Sequence, residues 1–89
     1  MNLRTASDIG AAIRERRRQL GRGQADLAAE IGVSRQWLSG VENGRPGAEL
    51  GLVLRTLNIL GLRLSAQVHD KAGGRTIDTI VNNARKSRP

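Results

Sequence analysis

Two kinds of chemistry lie within reach of the side chains in this chain. The single histidine, His69, stands next to Asp70, the pairing a general base would need, while the absence of cysteine removes thiol nucleophiles, thiolate metal sites and disulfides together. The alternation from Leu62 to His69 predicts a strand, and adjacent strand residues point to opposite faces, so His69 and Asp70 are poorly placed to share a site. No metal-ligand cluster, glycine-rich phosphate loop or nucleophile–base pair accompanies them. The sequence therefore points to no catalytic residue, no metal and no cofactor.

The second kind is recognition of phosphates and base edges. Thirteen of the fifteen cationic residues are arginine and the formal charge is +7, which favours a polyanionic partner. Arg35 and Gln36 are adjacent, and each can hold a base by two hydrogen bonds, arginine on guanine O6 and N7, glutamine on adenine N6 and N7. Ser39, one helical turn on, reaches a base or a phosphate. Gln24 at a helix N-terminus, Ser34 at a helix cap and Arg45 in a following loop are the expected phosphate contacts. An anionic membrane is the poorer match, because Trp37 is the one aromatic residue and amphipathic membrane helices carry large apolar anchors.

Such side chains need a rigid element to present them, and the segment QADLAAEIGVSRQWLSGVEN, Gln24 to Asn43, has the pattern of one. Ala28 is small where two helices must approach, Gly32 can take the turn, and Leu27, Ile31, Val33, Leu38 and Val41 are apolar at the positions that bury the unit. A plain helical hairpin would explain the apolar spacing. It would not explain the conjunction with Ala28, Gly32, a cap at Ser34 and a basic exposed face. The pattern predicts a helix-turn-helix whose second helix enters the major groove of double-stranded DNA. Gly40 inside that helix costs about 1 kcal/mol relative to alanine and removes a second-turn side chain. Trp37 can pack at the domain edge, rest on a sugar or thymine methyl, or join a dimer interface.

Around this unit the sequence predicts a mainly α fold of four to five helices with one C-terminal strand. A first helix is capped by Thr5 or Ser7, has Asp8 in its first turn, buries Ile9, Ala12, Ile13 and Leu20, and stops at Gly21. A fourth runs from Ala48 to Leu60 with Leu50, Val53, Leu54 and Leu57 inward. Residues 1–69 form the DNA-binding domain, ending in a strand, 62–69, whose one face carries Leu62, Leu64, Ala66 and Val68. A strand must pair its backbone groups, and the expected partner is the same strand of a second chain in a homodimer. Residues 70–89 read as a basic, partly mobile tail; Ile77, Ile80, Val81 and Ala84 have helical spacing, while Ala72-Gly73-Gly74 could instead turn the chain into a hairpin with 75–81. No apolar run approaches the roughly 20 residues that span a bilayer, nor is there a signal-peptide core at the N-terminus, so a cytoplasmic, nucleoid-associated protein is expected.

The run RRRQLGRGQADLAAEIGVSRQWLSGVENG resembles the Xre/Cro, phage-repressor-like helix-turn-helix family over about Ile9 to Leu60. The resemblance implies a structural ion pair between Arg17 and Glu42. It also marks two departures: Gly23 stands where the family usually has a threonine or serine cap, and Gly40 where it usually has a longer side chain. Beyond the fourth helix the layout is similar to the Hip-type antitoxins, with a single strand at LRLSAQVHD pairing across a dimer. That likeness implies a dimeric repressor of its own operon, bound to a palindromic operator and to a kinase-like toxin protein. The alternative is a stand-alone repressor, of phage or host, without a toxin partner.

Overall fold

The computed structural model describes residues 2–69 and 75–76, and within them four helices precede a short hairpin. Helix α1 spans Ala6–Gln19. Thr5, of the two candidate caps, begins it with a reciprocal capping box: its hydroxyl accepts from the Asp8 amide at 3.1 Å, and the Asp8 carboxylate accepts from the Thr5 and Arg4 amides at 3.2 and 2.9 Å. The Arg4 amide bond is the main reason the Asp8 carboxyl lies below its ordinary value; partial burial opposes it, and the Thr5 bonds add to it. Ile13 is fully buried on the inner face. Leu20, expected on the same stripe, is 44% exposed, because it follows the last helical turn as the C-cap residue.

Helices α2, Gln24–Ile31, and α3, Arg35–Glu42, follow with the predicted boundaries. Helix α3 packs against both α1 and α2, and α2 packs against α4, Leu50–Ile59. The core is built from Ile13, Leu27, Ile31, Leu38, Leu57 and Leu60. The buried face of α4 differs from the expected one: Val53, Thr56 and Leu57 are inside, followed by Leu60, whereas Leu50 and Leu54 are 66% and 41% exposed. Periodicity alone favours the leucine-rich face. The fold uses the face containing Thr56, whose hydroxyl donates to the Leu52 carbonyl at 2.8 Å and so enters the core without an unmet hydrogen bond.

Three helices end on an arginine reaching from another element. Arg14 donates to the Glu42 carbonyl at the end of α3 (3.1 Å), Arg16 to the Leu60 carbonyl after α4 (2.9 Å), and Arg55 to the Ile31 carbonyl at the end of α2 (3.0 Å). Terminal carbonyls lack intrahelical donors and carry the negative end of the helix dipole, so a guanidinium satisfies both needs.

The strand expected over 62–69 is confined to Gln67–Val68, β1, and it pairs antiparallel with Arg75–Thr76, β2, of the same chain, Gln67 opposite Thr76 and Val68 opposite Arg75. Leu62 is half-buried against the core, while Leu64 and Ala66 are exposed and outside the strand. The alternative of a partner from 75–81 of the same chain thus holds for Arg75–Thr76, and the connecting residues 70–74 lie outside the described residues. A helix over Ile77 to Ala84, and the rest of the tail at 77–89, lie outside the described residues.

Candidate nucleic-acid interface

The geometry of the α2–α3 unit follows from its turn. Gly32 adopts φ +90°, and the amides of Gly32 and Val33 both donate to the Ala28 carbonyl, at 2.9 and 3.0 Å, closing α2 and redirecting the chain within two residues. Ala28 is buried at the contact, where a larger side chain would separate the helices. Ser34 then caps α3, its hydroxyl oxygen accepting from the Trp37 amide at 3.0 Å. The hydroxyl proton stays available for an anion.

Helix α3 is divided between two environments. Leu38, Val41 and Glu42 are buried, and Trp37 is half-buried, packed against the edge of the core. Arg35 and Gln36 are exposed at the first turn; Ser39, four residues after Arg35 and on its face, is half-buried. Among the described residues Arg35 and Arg45 form no ion pair, in contrast to Arg14, Arg17 and Arg22.

The back of α3 is fixed to the rest of the domain through Glu42. Arg17 Nε and Nη2 donate to its two carboxylate oxygens at 2.8 and 3.0 Å, and a third guanidinium nitrogen donates to the Arg22 carbonyl. Burial raises the Glu42 carboxyl, but hydrogen bonds from Arg17 and Gln24 and the charges of Arg17 and Arg14 outweigh it and hold it below its ordinary value. Gln24, expected at a phosphate, is turned inward by this group: its Nε2 donates to Glu42 Oε1 at 3.1 Å. That bond leaves one amide proton, the side-chain carbonyl and the helix-terminal backbone amides for an outside partner. No side chain caps α2, because its N-cap is Gly23.

The far end of α3 closes as a Schellman motif. Gly44, at φ +88°, donates to Val41, and Arg45 donates to the Gly40 carbonyl at 2.9 Å. The Arg45 side chain folds back over Gly40: a Cβ built at that glycine would lie 3.5 Å from Arg45 Cδ and 3.6 Å from Nη1.

An amphipathic recognition helix, with the turn glycine, the small residue and the cap all in place, is the arrangement of a helix-turn-helix, and the model for the helix-turn-helix domain family matches residues 8–69. The chain belongs to that family. This helix-turn-helix protein is a DNA-binding transcriptional regulator, similar at 37% identity over 59 residues to an uncharacterized HTH-type transcriptional regulator, y4mF, of Sinorhizobium fredii (strain NBRC 101917 / NGR234). The match covers 66% of this chain and 78% of that relative. Among solved structures, the regulator resembles HipB in a complex with an O2 20mer, with a TM-score of 0.67 and 25% identity over 80% of this chain and 96% of the other. HipB in a HipA–HipB–O2–O3 complex shares the fold at TM-score 0.67 and 24% identity, covering 80% of this chain and 97% of that one. The expected resemblance to Xre-like, Hip-type helix-turn-helix proteins is therefore met in family and fold. No helix among the described residues is long and apolar enough to cross a membrane.

Sequence reading missed two residues that set this regulator's interface. Gly10 lies where α1 crosses α3, and a Cβ there would overlap the Val41 carbonyl oxygen and stand 2.9 Å from that of Glu42. Arg14 bonds the Glu42 carbonyl and, at 2.9 Å, Asn43 Oδ1, fixing the α3 terminus from α1. Both contacts join residues 28 or more positions apart, as for Arg14 and Glu42, and no local pattern signals them.

Proposed function

We propose that the protein is the antitoxin of a type II toxin–antitoxin pair, a homodimeric repressor that binds a palindromic operator and a kinase-like toxin. The carrying observation is the exposed first turn of α3, where Arg35 and Gln36 project together from a helix anchored behind by Arg17 and Glu42. In a major groove these two read base edges, with Ser39 one turn on, while Gln24 and Ser34 at two helix N-termini meet phosphate. Dimerisation is supported by Leu50 and Leu54, exposed on α4, and by Leu64 beside the hairpin, which leave apolar surface for a second copy. Of the expected cross-dimer strand of Leu62, Leu64, Ala66 and Val68 only Val68 lies in β1, so strand pairing across the dimer would be confined to the outer edge of Gln67–Val68. Similarity to HipB in complexes with and without HipA favours the toxin-bound role over a stand-alone repressor. Such a protein works in the cytoplasm, at the nucleoid.

The test is recovery of the tagged chain from its host after nuclease treatment, with mass spectrometry of what accompanies it. A stoichiometric kinase-sized protein is expected. Recovery of the chain alone, still able to bind its own promoter, would leave a simple repressor.

A further inference from the structure

Gly40 leaves the recognition helix without a side chain one turn beyond Gln36. Positions 36 and 40 are four apart and lie on one helix face, so a side chain at 40 would project beside Gln36 toward the same surface. That space is not empty. Arg45 is held against the last turn of α3 by its own backbone bond to the Gly40 carbonyl at 2.9 Å, and its guanidinium lies over the glycine, with Nη1 and Cζ 3.6 and 3.8 Å from the missing Cβ. The side chain is exposed and has no carboxylate partner among the described residues.

We propose that Arg45 is a base reader, supplying from the loop the second-turn side chain that Gly40 lacks, and that its target is guanine. The proposal rests on DNA binding through α3, as argued above, and moves Arg45 from the phosphate contact its loop position suggests. A phosphate clamp would extend from the loop toward the DNA backbone. Folded over Gly40, the guanidinium instead occupies the place of a side chain one turn beyond Gln36, and its planar fork fits the O6 and N7 acceptors of guanine in the major groove. Gly40 keeps this path open: an alanine would touch Arg45 at ordinary contact distance, but a long side chain would displace it.

The experiment is selection from a randomised duplex DNA library with the full-length protein, comparing wild type, R35A, R45A, R45K and G40Q. Thermal unfolding checks that each variant is folded. R45A and R45K should both lose a guanine preference at one position per half-site, distinct from the position lost in R35A, with discrimination there falling roughly 5- to 150-fold. The lysine variant is decisive because it keeps the charge and loses the fork. G40Q should alter the preference at the same position as R45A. If R45A enriches the wild-type consensus with evenly reduced affinity, or R45K behaves as wild type, Arg45 is a phosphate contact and the proposal is overturned. Failure of wild type to enrich any consensus would instead remove the operator-binding reading, and this proposal with it.

Discussion

Arg17 on α1 closes on Glu42 at the end of α3 through two hydrogen bonds of 2.8 and 3.0 Å, in a site where the carboxylate side chain is 1% exposed. The same carboxylate accepts from Gln24, so one buried charge joins three helices and orients the N-terminus of α2. A buried charge left unpaired is more costly than the pair is stabilising.

Replacing Glu42 with glutamine should therefore destabilise the domain by about 3 kcal/mol, and Arg17→Met by a similar amount. The double substitution Arg17→Met with Glu42→Gln should cost less than the sum, since neither charge is then stranded. A urea-unfolding double-mutant cycle measures the coupling; strict additivity would refute a direct pairing.

Stability should depend on acid in a defined window. The Glu42 carboxyl is held below its ordinary 4.5 in the folded state, so the unfolded chain binds its proton first as the pH falls. Its contribution is fully present above about pH 4.5 and is lost as the pH drops through the lower folded value. Asp8, shifted the same way from 3.8, extends the loss downward. Unfolding free energies of wild type and Glu42→Gln should converge in acid, and parallel curves would rule Glu42 out as the source.

Gly10→Ala should destabilise by roughly 3 kcal/mol, because the added methyl meets backbone carbonyls of α3 that cannot move without the recognition helix. Alanine is ordinarily the better helix former by about 1 kcal/mol, so an unchanged or raised Tm would show that α1 and α3 separate easily.

Arg35→Ala should relax specificity at one base pair per half-site, lowering discrimination by about 1 to 3 kcal/mol with little change in affinity for random DNA. Trp37, the single tryptophan and half-buried on α3, gives a fluorescence signal for the titration. Equal loss on operator and random duplexes would make Arg35 a phosphate contact.

A dimer meeting about eight phosphates should show a slope near −7 when the logarithm of the binding constant is plotted against that of salt concentration. A slope near zero would count against an electrostatic interface.

The positions that define the helix-turn-helix were legible because each meets a local demand. Gly32 supplies the left-handed turn, Ser34 the cap, and Leu27, Ile31, Leu38 and Val41 a helical stripe, all within one short window. Arg35 and Gln36 could be placed on the outer face by the same periodicity. The buried face of α4 could not be read so, since Leu50 and Leu54 satisfy the helical period as well as Thr56 does, and only packing against α2 decides between them. Nor could the strand at 62–69, where alternation sets which side chains share a face but leaves open what pairs with the backbone; the observed partner is Arg75–Thr76. The tertiary structure alone decided that Arg14, Arg16 and Arg55 close helix ends and that Arg45 lies over Gly40. Composition counts every arginine alike as charge. Whether a guanidinium faces solvent or a carbonyl is settled by which distant backbone the fold brings within its reach.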